Sequence, residues 1–186
     1  DLNWNNIVSV VDGTFAAFNF NENENFNWTS GTLSGGGTLT NTNVLKLTTT
    51  ANHFISGDTT LNNLGTLVIT ASGDLFINGS ESLLNNPVGG IIDMQADAGN
   101  ILWSGTAGVL VNFGLIKKTT SVGEAQIIIP LNNIDGTIQV EEGVLSFQST
   151  AKIFTNGTYN VSAGATMDWD TTISPSGSLN GTIAGD

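Results

Sequence analysis

The chain lacks cysteine and arginine altogether, and it has only three prolines in 186 residues. Without cysteine it can form no disulfide, no thiolate nucleophile and no cysteine-ligated metal site. Four lysines stand against 16 acidic residues, which gives a net charge of −12. Because nucleic-acid binders need clustered cations to displace counterions from phosphates, this balance comes close to excluding that class, and it argues equally against binding to anionic lipid. We interpret the acidity as a contribution to solubility.

Long hydrophobic runs are also missing. No stretch approaches the ~20 apolar residues of a membrane-spanning helix, and no basic segment precedes an apolar one, so we expect neither membrane insertion nor a visible signal peptide. The chain begins without Met and ends inside the repeat described below. We therefore expect it to be a piece of a longer protein.

What the chain does contain favours β-structure. Hydrophobic residues make up 39% of it and charged residues only 11%, which is too apolar for a disordered chain. Short runs rich in Ile, Val, Leu, Phe and Thr are separated by Gly and Asn, and this pattern predicts an all-β protein.

An internal repeat predicts the architecture. Residues 61–69 read LNNLGTLVI, and residues 131–140 return as LNNIDGTIQV with one residue inserted. Asparagines expected at turns recur at spacings of 21–26 residues, the length of one solenoid coil: Asn63, Asn86, Asn112, Asn133 and Asn156. We predict a right-handed parallel β-helix of about seven coils over residues 28–186, with residues 1–27 as an N-terminal cap or a distorted first coil.

Each coil is predicted to contain two short strands joined by tight turns. Alternation places Leu67, Ile92 and Ile138 in one internal stack. A second stack is expected to hold Leu75, Ile101, Trp103, Leu145, Phe147, Met167 and Trp169. The residues that alternate with these inward positions are predicted to face outward in two columns. One column contains Thr40, Val68, Asp93, Lys117, Gln139 and Asn160, and the other contains Lys46, Phe76, Leu102, Ser146 and Asp168.

The turn asparagines have two expected roles. Positive φ is least costly for Gly and then Asn, so both suit a sharp bend. In parallel stacking, an Asn side chain can also bond to the Asn one coil away.

Three local features stand out. Lys118 falls at an inward position, so either the register shifts there or its stem snorkels past the edge of the core. Asp93 and Lys117 lie one coil apart in one outward column and are expected to form an exposed ion pair. Residues 86–90 add length to a turn and should form a longer loop.

The repeat LNN-x-(x)-GT-x-x-V/I, followed by G-x-L-x-F, with KKTT at residues 117–120 ahead of IIIP at residues 127–130, resembles a known family. It is similar to the parallel β-helix repeats of large secreted and cell-surface bacterial proteins, including autotransporter-passenger and filamentous-haemagglutinin-like adhesins. The resemblance implies an extracellular bacterial location, a role as a stalk or adhesive surface, and no cofactor. It supplies no universal catalytic motif.

Candidate chemistry is sparse. The lone histidine, His53, is interpreted as a surface turn residue, because one His without Cys cannot build an ordinary zinc site. Asp168 and Asp170 are predicted to point outward on one strand. They are consistent with simple solvation, with a calcium ion or with the acid and base of a glycosidase.

Phe76 and Leu102 are predicted to be outward neighbours on adjacent coils. Two exposed apolar groups on a flat sheet suggest cover by residues 1–27, a binding surface, or chance exposure. We identify them as the candidate interaction surface.

These observations favour a non-enzymatic extracellular structural or adhesive module, possible partners being an unknown surface ligand or glycan and further copies stacked through the solenoid ends. One alternative is a carbohydrate-binding or glycan-cleaving β-helix. A second is ice binding, which requires outward Thr at matching positions on successive coils; the mixed columns above argue against it.

Overall fold

The computed structural model describes residues 27–148 and 153–169 in full, and residues 2–4, 8–9, 14–15, 26, 152 and 181–185 by backbone alone. These residues form 24 strands and no helix, and all the pairings between these strands are parallel. The strands from Phe26 to Trp169 stack as a β-solenoid of about six turns, where about seven coils were predicted, and this confirms the predicted parallel β-helix. The described part of the chain accordingly has no helix that could cross a membrane.

Three sheets form the walls of the solenoid in the described residues, and consecutive strands belong to different sheets. Sheet 1 contains β1 Leu2–Trp4, β4 Phe26–Trp28, β7 Val44–Leu47, β10 Thr66–Ile69, β13 Ile91–Met94, β16 Leu115–Lys118, β19 Thr137–Val140, β22 Gly157–Val161 and β24 Gly181–Gly185. Sheet 2 contains β2 Val8–Ser9, β5 Gly31–Ser34, β8 His53–Ile55, β11 Leu75–Ile77, β14 Ile101–Leu102, β17 Glu124–Ile127, β20 Val144–Phe147 and β23 Thr166–Trp169. Sheet 3 contains β3 Thr14–Phe15, β6 Thr38–Asn41, β9 Thr60–Asn63, β12 Leu83–Asn86, β15 Val109–Asn112, β18 Leu131–Ile134 and β21 Lys152–Thr155.

The core lies along the solenoid axis, where inward side chains stack coil upon coil. Leu67 pairs with Ile92, and Ile116 pairs with Ile138, all four fully buried. This confirms the predicted first stack and adds Ile116 to it. Complete burial of such a side chain contributes about 1.5–3 kcal/mol, so repetition over successive coils supplies most of the stabilisation.

For the second stack, the prediction of which strand face points inward is confirmed, but the prediction of which residues pair between neighbouring coils is wrong. Ile101 lines up with Ile127, then Phe147 and Trp169, whereas Leu145 lines up with Ala125. An offset of two residues leaves every side chain on the same face, because the side-chain period of a strand is two. Trp103 was predicted to point inward, but it follows the end of β14 and is 40% exposed.

Each coil has three strands, not the predicted two. Sheet 3 includes segments that the sequence suggested were turns, around Asn63, Asn86, Asn112 and Asn133. Asn63, Asn86 and Asn112 are the last residues of their strands. These four asparagines are fully buried, and positive φ does not explain them. Asn156, with φ of 54°, is the one predicted turn asparagine among the described residues that adopts it.

The buried asparagines form a ladder along the inside of sheet 3, and the predicted Asn–Asn bonds between coils are therefore confirmed. Each side-chain amide donates to the carbonyl oxygen of the next Asn over 2.6–2.8 Å, in the order Asn41, Asn63, Asn86, Asn112 and Asn133. Asn133 ends the series by donating to the Tyr159 hydroxyl over 3.1 Å. Burial raises the pKa of Tyr159, and this hydrogen bond partly opposes the rise.

Glycines lie against the ladder, which explains the Asn-x-(x)-Gly part of the repeat. A Cβ atom on Gly136 would come within 2.4 Å of Asn112 Nδ2 and 2.5 Å of Asn133 Oδ1. The same clash with a ladder amide recurs at Gly90, Gly114 and Gly157. Close approach, rather than backbone conformation, therefore requires glycine at these positions.

The ends of the chain are described less fully. The strands within residues 1–15 that the structure describes pair in parallel with the following coil, β1 with β4, β2 with β5 and β3 with β6. The assignment of residues 1–27 to a cap or a distorted first coil stays a prediction. The expected loop at residues 86–90 is confirmed, with Val88 83% exposed.

Candidate interaction surface

The predicted neighbours Phe76 and Leu102 are indeed paired on adjacent coils of sheet 2. Both are half-buried and lie at outward positions. The same column continues in both directions, because Phe54 pairs with Phe76 and the residue after Ile127, Ile128, lies next to Leu102. We name this column the apolar stripe: Phe54, Phe76, Leu102 and Ile128.

The two phenyl rings of the stripe stack on one another. The ring centroids of Phe54 and Phe76 are 5.0 Å apart and the ring planes differ by 19°. Stacked aromatic pairs contribute about 0.5–1.5 kcal/mol beyond their buried area, so the rings hold each other in place on the sheet. The stripe is thus an ordered surface.

A polar row runs beside the stripe, and each of its residues comes two positions before a stripe residue in the chain. It consists of Asn52, Asp74, Asn100 and Gln126, and we name it the amide row. Asn100 Nδ2 donates to Asp74 Oδ1 over 3.0 Å, and the Gln126 backbone N–H donates to Asn100 Oδ1 over 2.9 Å. On the opposite side of the stripe, the Ser104 N–H donates to Asn78 Oδ1 over 2.8 Å.

Both predicted outward columns need correction. Lys46 belongs to sheet 1, where it pairs with Val68, so it replaces Thr40, which lies in sheet 3. The predicted ion pair of Asp93 and Lys117 in that column is confirmed at 3.5 Å, but it is not exposed as expected, because the Asp93 side chain is only 8% exposed. Ser146 pairs with Gln126 on one side and with Asp168 on the other, so Ser146 and Asp168 continue the register of the amide row and not that of the stripe.

Asp168 is exposed on β23, as predicted. Asp170 lies outside the described residues. The calcium and glycosidase hypotheses for this pair of carboxylates therefore stay predictions.

His53 is not the surface turn residue that the sequence suggested. It is fully buried in β8, where its Nε2 lies 2.8 Å from the Trp28 carbonyl oxygen and its ring meets the Trp28 ring edge-on. Burial lowers the pKa of His53, opposed by the backbone carbonyls of Trp28 and Asp74. His53 is therefore a core side chain, and it directly precedes the stripe residue Phe54 in β8.

Lys118 takes the second of its two predicted arrangements. The register does not shift, since Lys118 pairs with Met94 and Val140, and the side chain is fully buried. Its stem reaches the edge of the core, where Nζ donates to the Thr120 and Ser121 carbonyls at 2.7 and 3.0 Å. Nζ also lies 3.4 Å from Asp97 Oδ1.

An open groove of about 440 Å³ lies on sheet 1 beside the loop at residues 86–90. Gly89–Ile91 and Phe113–Leu115 line it together with Thr137 and Gln139. Its glycines leave the space open, but no charged side chain lines it. The groove could therefore accommodate a ligand, but its lining does not indicate which kind.

Comparison of the chain with protein-family models, curated proteins and solved structures gives no match. The function is therefore inferred from the fold and the apolar stripe.

Proposed function

We propose that this chain is a non-enzymatic structural and adhesive module of an extracellular bacterial protein. The observation that carries the proposal is the apolar stripe, an ordered row of large side chains on the outer face of a rigid parallel solenoid. Apolar side chains placed contiguously on an outer surface mark sites of interaction. The resemblance of the repeat to β-helical surface proteins supports the location and the adhesive role.

The rigidity follows from the fold. Fully buried aliphatic stacks, continuous parallel pairing and the asparagine ladder all run along the solenoid axis. A solenoid of this kind holds its outer faces at fixed spacing, as a stalk or a binding surface requires. Association through the solenoid ends is the natural extension, since an end coil presents unpaired strand edges.

The adhesive role is tested by retention under flow. Beads carrying the full chain are passed over glycan-, protein- and lipid-coated surfaces, and the double variant Phe54→Ala/Phe76→Ala is compared with Ile153→Ala. Ile153 is 49% exposed on sheet 3, so it controls for the loss of an apolar surface group elsewhere. We expect the wild type to be retained on at least one surface and the double variant to lose about tenfold in retention.

Two results would contradict the adhesive role. One is the absence of retention on every surface. The other is equal retention of the wild type and the stripe variant. Circular dichroism of each variant establishes that the solenoid is folded.

A further inference from the structure

The apolar stripe is long and narrow. It runs from β8 across β11 and β14 to Ile128, the residue that follows β17 in sheet 2. With strands ~4.8 Å apart, it is about 15 Å long and one side chain wide. Trp103, which directly follows Leu102 in the chain, is 40% exposed.

On each side of the stripe, the polar groups are hydrogen-bonded to one another in the free protein. In the amide row, Asp74 Oδ1 accepts both the Asn100 backbone N–H and the Asn100 side-chain amide, at 3.1 and 3.0 Å. On the other border, Asn78 and Ser104 bond to each other. Hydrogen-bonding groups held in place beside an apolar surface cost little ordering on binding and confer specificity.

This combination matches one ligand chemistry. A pyranose ring has an apolar face of C–H groups and a rim of hydroxyls that both donate and accept hydrogen bonds. Successive rings of a polysaccharide chain would lie on successive side chains of the stripe, with their hydroxyls toward the two borders.

Charge and size argue against two other occupants, an acidic polysaccharide and a second copy of the chain. The chain carries a net charge of −12 and Asp74 lies in the amide row, so an acidic polysaccharide or a second copy of the chain would be repelled. A stripe one side chain wide is also much smaller than the ~800 Å² per partner of a stable protein interface.

We propose that the apolar stripe and the amide row bind a neutral polysaccharide aligned with the solenoid axis. This proposal rests on the adhesive role above and specifies its ligand.

The test is affinity electrophoresis of the full chain in gels containing neutral β-glucan, xylan or polygalacturonate. We expect retardation by at least one neutral polysaccharide and none by polygalacturonate. Phe76→Ala should weaken the binding about tenfold, while Ile153→Ala leaves it unchanged. Phe76→Leu, which keeps the apolar bulk without the ring, should bind between these limits and guards against a folding defect in the alanine variant.

Several results would overturn the proposal: no retardation by either neutral polymer, equal retardation by polygalacturonate, or unchanged binding by Phe76→Ala. Hydroxyl-radical labelling of the free protein provides a separate check. If Phe54 and Phe76 are protected without ligand, another segment of the chain or a second copy covers the stripe, and sedimentation distinguishes the two.

The two proposals fail separately. Stripe-dependent bead retention without polysaccharide binding would remove the ligand assignment and leave the adhesive role. Polysaccharide binding by the chain in gels, with no bead retention on any surface, would remove the adhesive role and leave the binding site.

Discussion

Asn112 and Lys118 both point into the solenoid and are both fully buried, but their partners come from different directions. Asn112 accepts from Asn86 on the preceding coil and donates to Asn133 on the next. Lys118 bonds mainly to the turn that directly follows it, at Thr120 and Ser121. Asn112 is therefore bonded to equivalent residues on neighbouring coils, whereas Lys118 is bonded mainly within its own coil.

The difference determines what happens when either side chain is lost. A ladder Asn is donor and acceptor at once, so removing Asn112 takes the closest hydrogen-bond partner from a buried polar group on each of the two neighbouring coils. Lysine only donates, and its partners lie at the edge of the core, where Thr120 is exposed and Asp97 is 44% exposed. Water can replace the ammonium group there, but it cannot readily enter the ladder.

The largest effect is expected for Asn112→Leu, a change of similar shape. It leaves Asn86 Nδ2 and Asn133 Oδ1 without their closest partners, and we expect a loss of about 2–4 kcal/mol in the free energy of unfolding. Urea denaturation measures it. Asn132→Leu, at a half-buried outward position of sheet 3, is the matched control and should change stability by less than about 0.5 kcal/mol. Similar losses for both variants would show that the ladder adds no stability of its own.

The same contrast explains what could be predicted from the sequence. The core stack of Leu67 with Ile92 and the bonds between asparagines were predictable, because stacking requires equivalent residues to recur once per coil. Sheet 3 was not, because Asn63 occupies an inward position and hides the alternation that marks a strand. His53 hides β8 in the same way, and with it the stripe residue Phe54. The partners of Lys118 depend on a local turn, which no repeat encodes.

Lys118→Met should have a smaller effect than Asn112→Leu. Methionine keeps most of the buried stem, and exchange of a buried charge for an apolar side chain of similar volume is often neutral or stabilising. We expect a change in the free energy of unfolding within about 1 kcal/mol of zero. Lys46→Met, at an outward position of β7 in the same sheet, controls for loss of charge alone. A loss above about 3 kcal/mol would show that the ammonium group organises the turn at residues 119–121, and the contrast with the ladder would disappear.

Asp97→Asn should have the smallest effect and a distinct pH dependence. The Ser121 hydroxyl lowers the pKa of Asp97 most, burial opposes this, and Lys118 and the Gly123 amide lower the pKa further. A carboxyl with a lowered pKa in the folded state adds stability that is complete above its ordinary pKa and disappears as the pH falls through the folded value. The carboxylate is largely exposed, so we expect Asp97→Asn to cost less than about 1 kcal/mol at pH 7. Urea denaturation at neutral pH and near pH 3 should show the wild type and the variant converging in acid. In a Ser121→Ala background the convergence should be weaker, whereas a difference that grows toward low pH would mean that the ionised carboxylate does not stabilise the turn.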